Sequence, residues 1–156
     1  MCRGLTLLAM TLHYVRATGV PAWIPLPSDE AQGLLCVLHV RHSRDKKQAV
    51  ITLGLSVPID GMESDSSFTL VYNADILVPG KTSLSSSTNI APPNLSKIAR
   101  GGSPAPHLLS LVLSQSCPVK CSKDLRKPPL LKRGSASAFY RFVKLAVATE
   151  VNILFD

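Results

Sequence analysis

Apolar and polar residues alternate with period two along several separate runs of the chain. In GLLCVLHVRH, Leu34, Cys36, Leu38 and Val40 alternate with Leu35, Val37, His39 and Arg41; in AVITLGLSV, Ala49, Ile51, Leu53, Leu55 and Val57 alternate with Val50, Thr52, Gly54 and Ser56. Successive strand residues point to opposite faces, so each run predicts a strand with one apolar face. The short charged linker SRDKKQ between them suits a hairpin turn. A helix starting at Ser28, with Asp29 and Glu30 in its first turn, competes for the first run because that capping chemistry is also favourable. The hairpin is the preferred reading. Phe68, Leu70 and Tyr72 alternate with Thr69, Val71 and Asn73, which predicts a third strand turning near Asn73 to Asp75. Three consecutive strands favour an antiparallel meander. A fourth, HLLSLVLSQS, sets Leu109, Leu111 and Leu113 on one face and Leu108 and Val112 on the other.

The period then changes. In GSASAFYRFVKLAVATE, Phe139, Phe142, Val143, Ala146 and Val147 recur at three and four, Ser135 or Ser137 can cap, and Arg141, Lys144 and Glu150 would face water. The closing VNILFD reads as a strand with Val151, Ile153, Leu154 and Phe155 buried. So apolar a strand belongs inside a sheet, yet the chain stops directly after it, which reads as a chain cut short. A helix feeding an apolar strand after a meander gives an α+β fold: a mainly antiparallel sheet with one C-terminal helix packed on it.

Two stretches interrupt the pattern. VPAWIPLPSDE carries Pro21, Pro25 and Pro27, and proline neither donates to a ladder nor lets its predecessor enter a helix, so an extended connector is predicted, with Trp23 pinning it to the core. From Pro79 to Pro106 the chain is rich in Ser, Pro and Gly; it holds too little apolar surface to offset its ordering entropy and reads as a long disordered insertion, unusual within one domain.

At 156 residues the chain fits a single domain that buries roughly 68–70% of its unfolded surface. Its hydrophobic share of 46% and charged share of 17% exclude a wholly disordered polymer. Aromatics make up only 5%, which leaves Val, Leu and Ile to fill the core.

Charge is uneven. The net charge of +7 comes mostly from residues 120–144, where Lys120, Lys123, Arg126, Lys127, Lys132, Arg133, Arg141 and Lys144 face Asp124 alone. A localised basic segment attracts polyanions: nucleic acid, anionic lipid or an acidic protein face. A solvated loop that keeps the chain soluble is the plain alternative. Lys120 to Arg133 contains no aromatic residue, which argues against stacking on single-stranded bases and leaves phosphate contact.

The cysteines are Cys2, Cys36, Cys117 and Cys121. Cys117 and Cys121, with three residues between them, can reach one soft ion such as zinc, but a closed structural site needs four ligands. Cys2, Cys36, His13, His39, His42 and His107 supply no second close pair; His39 and His42 fall on opposite faces of a strand. Two unrelated thiols are therefore expected, ahead of a metal site or a disulfide, and Cys36 is read as a small core residue. No cofactor is expected. No glycine-rich phosphate loop, Gly-x-Ser-x-Gly turn or His-Glu-x-x-His occurs. Asp156, an acid at the end of a buried strand, with Asp75 as an imagined companion, is the one opening for a metal-dependent hydrolase of which this would be a fragment.

The N-terminal MCRGLTLLAMTL offers one positive charge and an apolar stretch of signal-peptide length, interrupted by His13, Tyr14 and Arg16. A buried strand or helix is preferred there over a cleaved signal, so an intracellular soluble protein is favoured over a secreted effector. No run approaches the ~20 apolar residues that span a bilayer. The run FYRFVKLAVATEVNILFD, with the Ser/Pro-rich segment ahead of it, resembles predicted fungal proteins that carry no assigned activity. That resemblance covers the last third of the chain and implies no chemistry. Together these readings give a binding domain without catalytic activity of its own, whose basic loop contacts an acidic protein or nucleic-acid phosphates.

Overall fold

The structure, a computed structural model, describes residues 19–26, 29–43, 48–57, 66–86, 97–98, 106–121 and 136–156. Among the described residues, eight strands and one complete helix follow in chain order: β1 (Val20–Leu26), β2 (Asp29–Ser43), β3 (Gln48–Val57), β4 (Ser66–Tyr72), β5 (Ser83–Ser86), β6 (His107–Val112), β7 (Val119–Cys121), α1 (Ala136–Val147) and β8 (Glu150–Phe155). The strands form one sheet in the order β5-β6-β8-β1-β2-β3-β4-β7. Every pairing in it is antiparallel. The expected α+β class, mainly antiparallel sheet with one helix near the C-terminus, is what the chain adopts.

Alternation fixes which face is buried. Leu34, Cys36, Leu38 and Val40 are buried while Leu35 and Val37 are 45% and 42% exposed. The same parity buries Ile51, Leu53, Phe68, Leu70, Tyr72, Leu109, Leu111, Val151, Ile153 and Phe155 in one cluster. The competing helix over the first run does not form; β2 is already extended at Asp29 and pairs with β3 through Val37↔Gly54 to Ser43↔Gln48. The closing strand lies inside the sheet, between β6 and β1, as its composition requires.

The sheet is strongly curled. In a flat sheet β6 and β4 would stand five spacings apart, about 24 Å at ~4.8 Å each. Yet Leu77, just after β4, bridges Leu113, just after β6. The N–H of Val78 donates to the Val112 carbonyl at 2.8 Å and that of Ser114 to the Ile76 carbonyl at 2.8 Å. One stretch of chain, 107–121, thus pairs with β8 at its start and with β4 at its end, drawing the two sides of the sheet together. α1 covers the apolar face, burying Phe142, Leu145 and Ala146 in the same cluster, and the N–H of Cys117 donates to the Ala146 carbonyl at 2.9 Å.

Three expectations are corrected. The Pro-rich connector is β1, a strand within the sheet. Its ladder to β2 runs from Val20↔Leu38 to Leu26↔Asp29, whereas its ladder to β8 is confined to Ala22 and Trp23, between Pro21 and Pro25. The prolines, two residues either side of Trp23, lack donors on one edge only, so they shorten one ladder without abolishing the strand. Within the stretch expected to be a disordered insertion, Ser83–Ser86 form β5, paired from Ser83↔Ser110 to Ser86↔His107, and Ile98 is fully buried; residues 87–96 and 99–105 lie outside the described residues. The buried face of α1 is rotated from the expected one. Leu145 takes the core position, while Val143 and Val147 are exposed.

The outer face carries one further packed element. Trp23 is buried on the side opposite Ala22 and Ile24. The Lys97 ammonium stands 4.1 Å from the centroid of its ring, a cation–π contact. Trp23 does pin its segment, to the outer face and not to the main core.

Candidate functional site

Of the basic residues singled out from the sequence, Lys120 lies within the described residues, exposed on the edge strand β7 opposite Thr69. Lys123, Arg126, Lys127, Lys132 and Arg133 fall in 122–135, outside the described residues. The segment runs from edge strand β7 to α1. At its far side Lys144 is exposed. Arg141 is half-buried, and its guanidinium donates to the Gly33 carbonyl at 3.3 Å. Arg141 therefore ties α1 to the β1–β2 hairpin, so the free cations on described residues of this stretch are Lys120 and Lys144.

The two cysteines that flank Lys120 part company. Cys117 is buried in the core, and its thiol donates to the Val71 carbonyl at 3.2 Å. Cys121 is half-buried in β7, in register with Phe68. Val71 and Phe68 are three strand residues apart, about 10 Å at ~3.3 Å per residue. That is too far for a disulfide, whose Cα atoms stand roughly 4.4–6.8 Å apart. Cys36, Cys117 and Cys121 are all free thiols. Among the described residues no group of three or more His, Cys, Asp or Glu side chains is placed to hold a metal ion. Cys2 and His13 lie outside the described residues, as does the side chain of His42.

Among the described residues, burial favours the protonated forms of Cys36, Cys117 and Tyr72 in the core. Burial pushes the Cys36 thiol up to about 12. It also raises Cys117, against the lowering effects of the Val71 hydrogen bond and the Lys120 charge. Tyr72 is raised above the ordinary phenol value by burial first, then by the neighbouring thiols of Cys117 and Cys36. Among the described residues its hydroxyl has no hydrogen-bond partner. A thiol must lose its proton to act as a nucleophile or ligand, so at neutral pH Cys36 and Cys117 behave as small core residues.

The carboxylate pair does not assemble. Phe155, next to Asp156, pairs with His107 at the start of β6, while Leu77, two residues beyond Asp75, bridges Leu113 past its end. Six strand residues, about 20 Å, separate those points. Asp75 instead closes a local turn, its N–H donating to Asn73 Oδ1 at 3.1 Å. His107 stacks on Phe155 with ring centroids 5.4 Å apart, and its Nδ1 is buried without a hydrogen-bond partner among the described residues.

Sequence reasoning missed the outward face of α1. Tyr140 and Val147 are 65% and 68% exposed, and Val143 is 37% exposed. Their spacing of three and four is visible in the sequence, but it coincides with that of the buried residues, so spacing alone did not separate the two faces. Among the described residues no helix is long and apolar enough to cross a membrane. Comparison with family models, with curated proteins and with solved structures gives no match. The functional reading rests on the residues themselves.

Proposed function

We propose that this protein is a non-enzymatic binding module that holds a polyanionic partner through the basic stretch that starts in β7 and leads to α1, with Lys120, Lys123, Arg126, Lys127, Lys132 and Arg133 making the contacts. The observation that carries the reading is the charge asymmetry: residues 120–144 hold Asp124 as their one acid, whereas 1–119 are nearly balanced. Without an aromatic residue from Lys120 to Arg133, the segment offers ammonium and guanidinium groups and no stacking platform, so the chemistry is contact with phosphate or carboxylate oxygens. Supporting it, Lys120 stands exposed on an edge strand where the segment begins. Among the described residues, the cysteines weighed for a metal site lie apart, and so do the two carboxylates weighed for a hydrolase.

The test is a fluorescence-anisotropy titration of the full chain against labelled heparin and labelled duplex DNA. Charge reversal at Lys123→Glu, Arg126→Glu, Lys127→Glu and Arg133→Glu is expected to abolish binding of both. Undiminished binding by that variant, with its circular dichroism unchanged, sinks the reading.

A further inference from the structure

The proposed function fixes the sign of the partner's charge but not its nature, and α1 narrows the choice. On a helix of 3.6 residues per turn, Tyr140, Val143 and Val147 fall within about 60° of arc, and Lys144 lies about 40° to the other side of Tyr140. This arc is opposite the face formed by Phe142, Leu145 and Ala146, which is buried in the core. A solvated helix ordinarily presents polar residues there. Here the outward surface is one aromatic ring, two branched aliphatic side chains and one ammonium group, with the small hydroxyl of Ser137 beside the ammonium as its other exposed polar group.

We infer that this face docks on an anionic lipid surface. The inference rests on the polyanion reading for the sign of the partner's charge; the surface itself comprises Tyr140, Val143, Lys144 and Val147. A partner must offer apolar depth and negative charge together, and the headgroup boundary of an acidic bilayer does both. Aliphatic side chains enter the acyl boundary, tyrosine sits at the headgroup level with its hydroxyl toward water, and lysine reaches the lipid phosphate or carboxylate. Nucleic acid offers the charge but no apolar surface matching two valines one helical turn apart. Charge complementarity favours the same partner, since the chain from Lys120 to Lys144 is strongly cationic and an acidic leaflet attracts such segments. α1, with 12 residues, is about 18 Å long and would lie along the surface.

The experiment is vesicle co-sedimentation of the full chain with phosphatidylcholine alone and with phosphatidylcholine mixed with phosphatidylserine, alongside heparin binding. Wild type is expected on the mixed vesicles and not on the neutral ones. Val147→Ser is expected to lower the partition coefficient by about tenfold and Lys144→Gln by about fivefold, with heparin binding kept by Val147→Ser. Tyr140 meets Phe139 edge to face at 6.3 Å, so Tyr140→Ser is read beside Val147→Ser, whose exposed side chain leaves the fold undisturbed. Heparin binding without vesicle binding, or equal vesicle binding by Val147→Ser, overturns the lipid inference and leaves the polyanion reading standing. Binding of neither heparin nor mixed vesicles overturns both.

Discussion

The indole of Trp23 lies directly against Gly33: a Cβ built on that glycine would stand 2.5 Å from Cζ2 and 2.6 Å from Cε2 of the ring, and 2.8 Å from the Ile24 carbonyl oxygen. The glycine is what allows a proline-flanked strand to seat a large aromatic side chain on the outer face of the β1–β2 pair. Gly33→Ala is therefore expected to destabilise the fold by about 1–3 kcal/mol, because ring and backbone must both shift. The check is urea unfolding followed by far-ultraviolet circular dichroism, a signal that survives replacement of the sole tryptophan. In a double-mutant cycle with Trp23→Leu, the glycine substitution is expected to lose most of its cost.

Alkaline pH should loosen the core through Cys36. Burial raises its folded-state value from 9.0 to about 12. A raised acid favours the protonated folded form, so its contribution is fully present below the unfolded value and is lost as pH rises toward the folded one. Stability should fall between pH 9 and about 12, by an amount on the order of 4 kcal/mol for this thiol. Cys36→Ala should show a shallower fall over the same window in urea titrations, whatever its stability at neutral pH.

Tyr72→Phe should be neutral or stabilising by up to about 1–2 kcal/mol, since the hydroxyl is desolvated with no hydrogen bond in return. A loss of that size in denaturant unfolding would reveal a partner for the hydroxyl.

Arg141→Met should cost about 1 kcal/mol in the same assay, because it removes a part-buried donor to the Gly33 carbonyl. Lys144→Gln, on the exposed face, should leave stability within about 0.5 kcal/mol. Equal effects from both would contradict the assignment of Arg141 as an internal tie.

The strands with a purely apolar inward parity were legible in the sequence, because burial of one face imposes period two on β2, β3, β4 and β6. What was not legible depends on partners distant along the chain. β5 has the sequence SLSS and pairs through its backbone with β6, so no apolar signal marks it. β7 is only three residues long. β1 hides behind prolines that matter at one edge alone. The Leu77 to Leu113 bridge joins segments whose sequences say nothing of each other, so the curl of the sheet could not be foreseen. In α1, apolar residues lie on both sides, and only packing against Cys117 and the strands selects Leu145 over Val143 and Val147. For the basic segment, the sequence showed the charge and the structure adds Lys120 on its edge strand, Lys144 on the outer helix face and Arg141 turned inward.

The central claim is that the segment between β7 and α1 binds through charge, and the salt dependence of association tests it most directly. With labelled duplex DNA, log K plotted against log salt should have a negative slope. That slope should become shallower by about 0.9 for each contacting lysine or arginine replaced by glutamine among Lys123, Arg126, Lys127 and Arg133. A slope near zero, or one that stays unchanged through the full set of substitutions, would contradict the account.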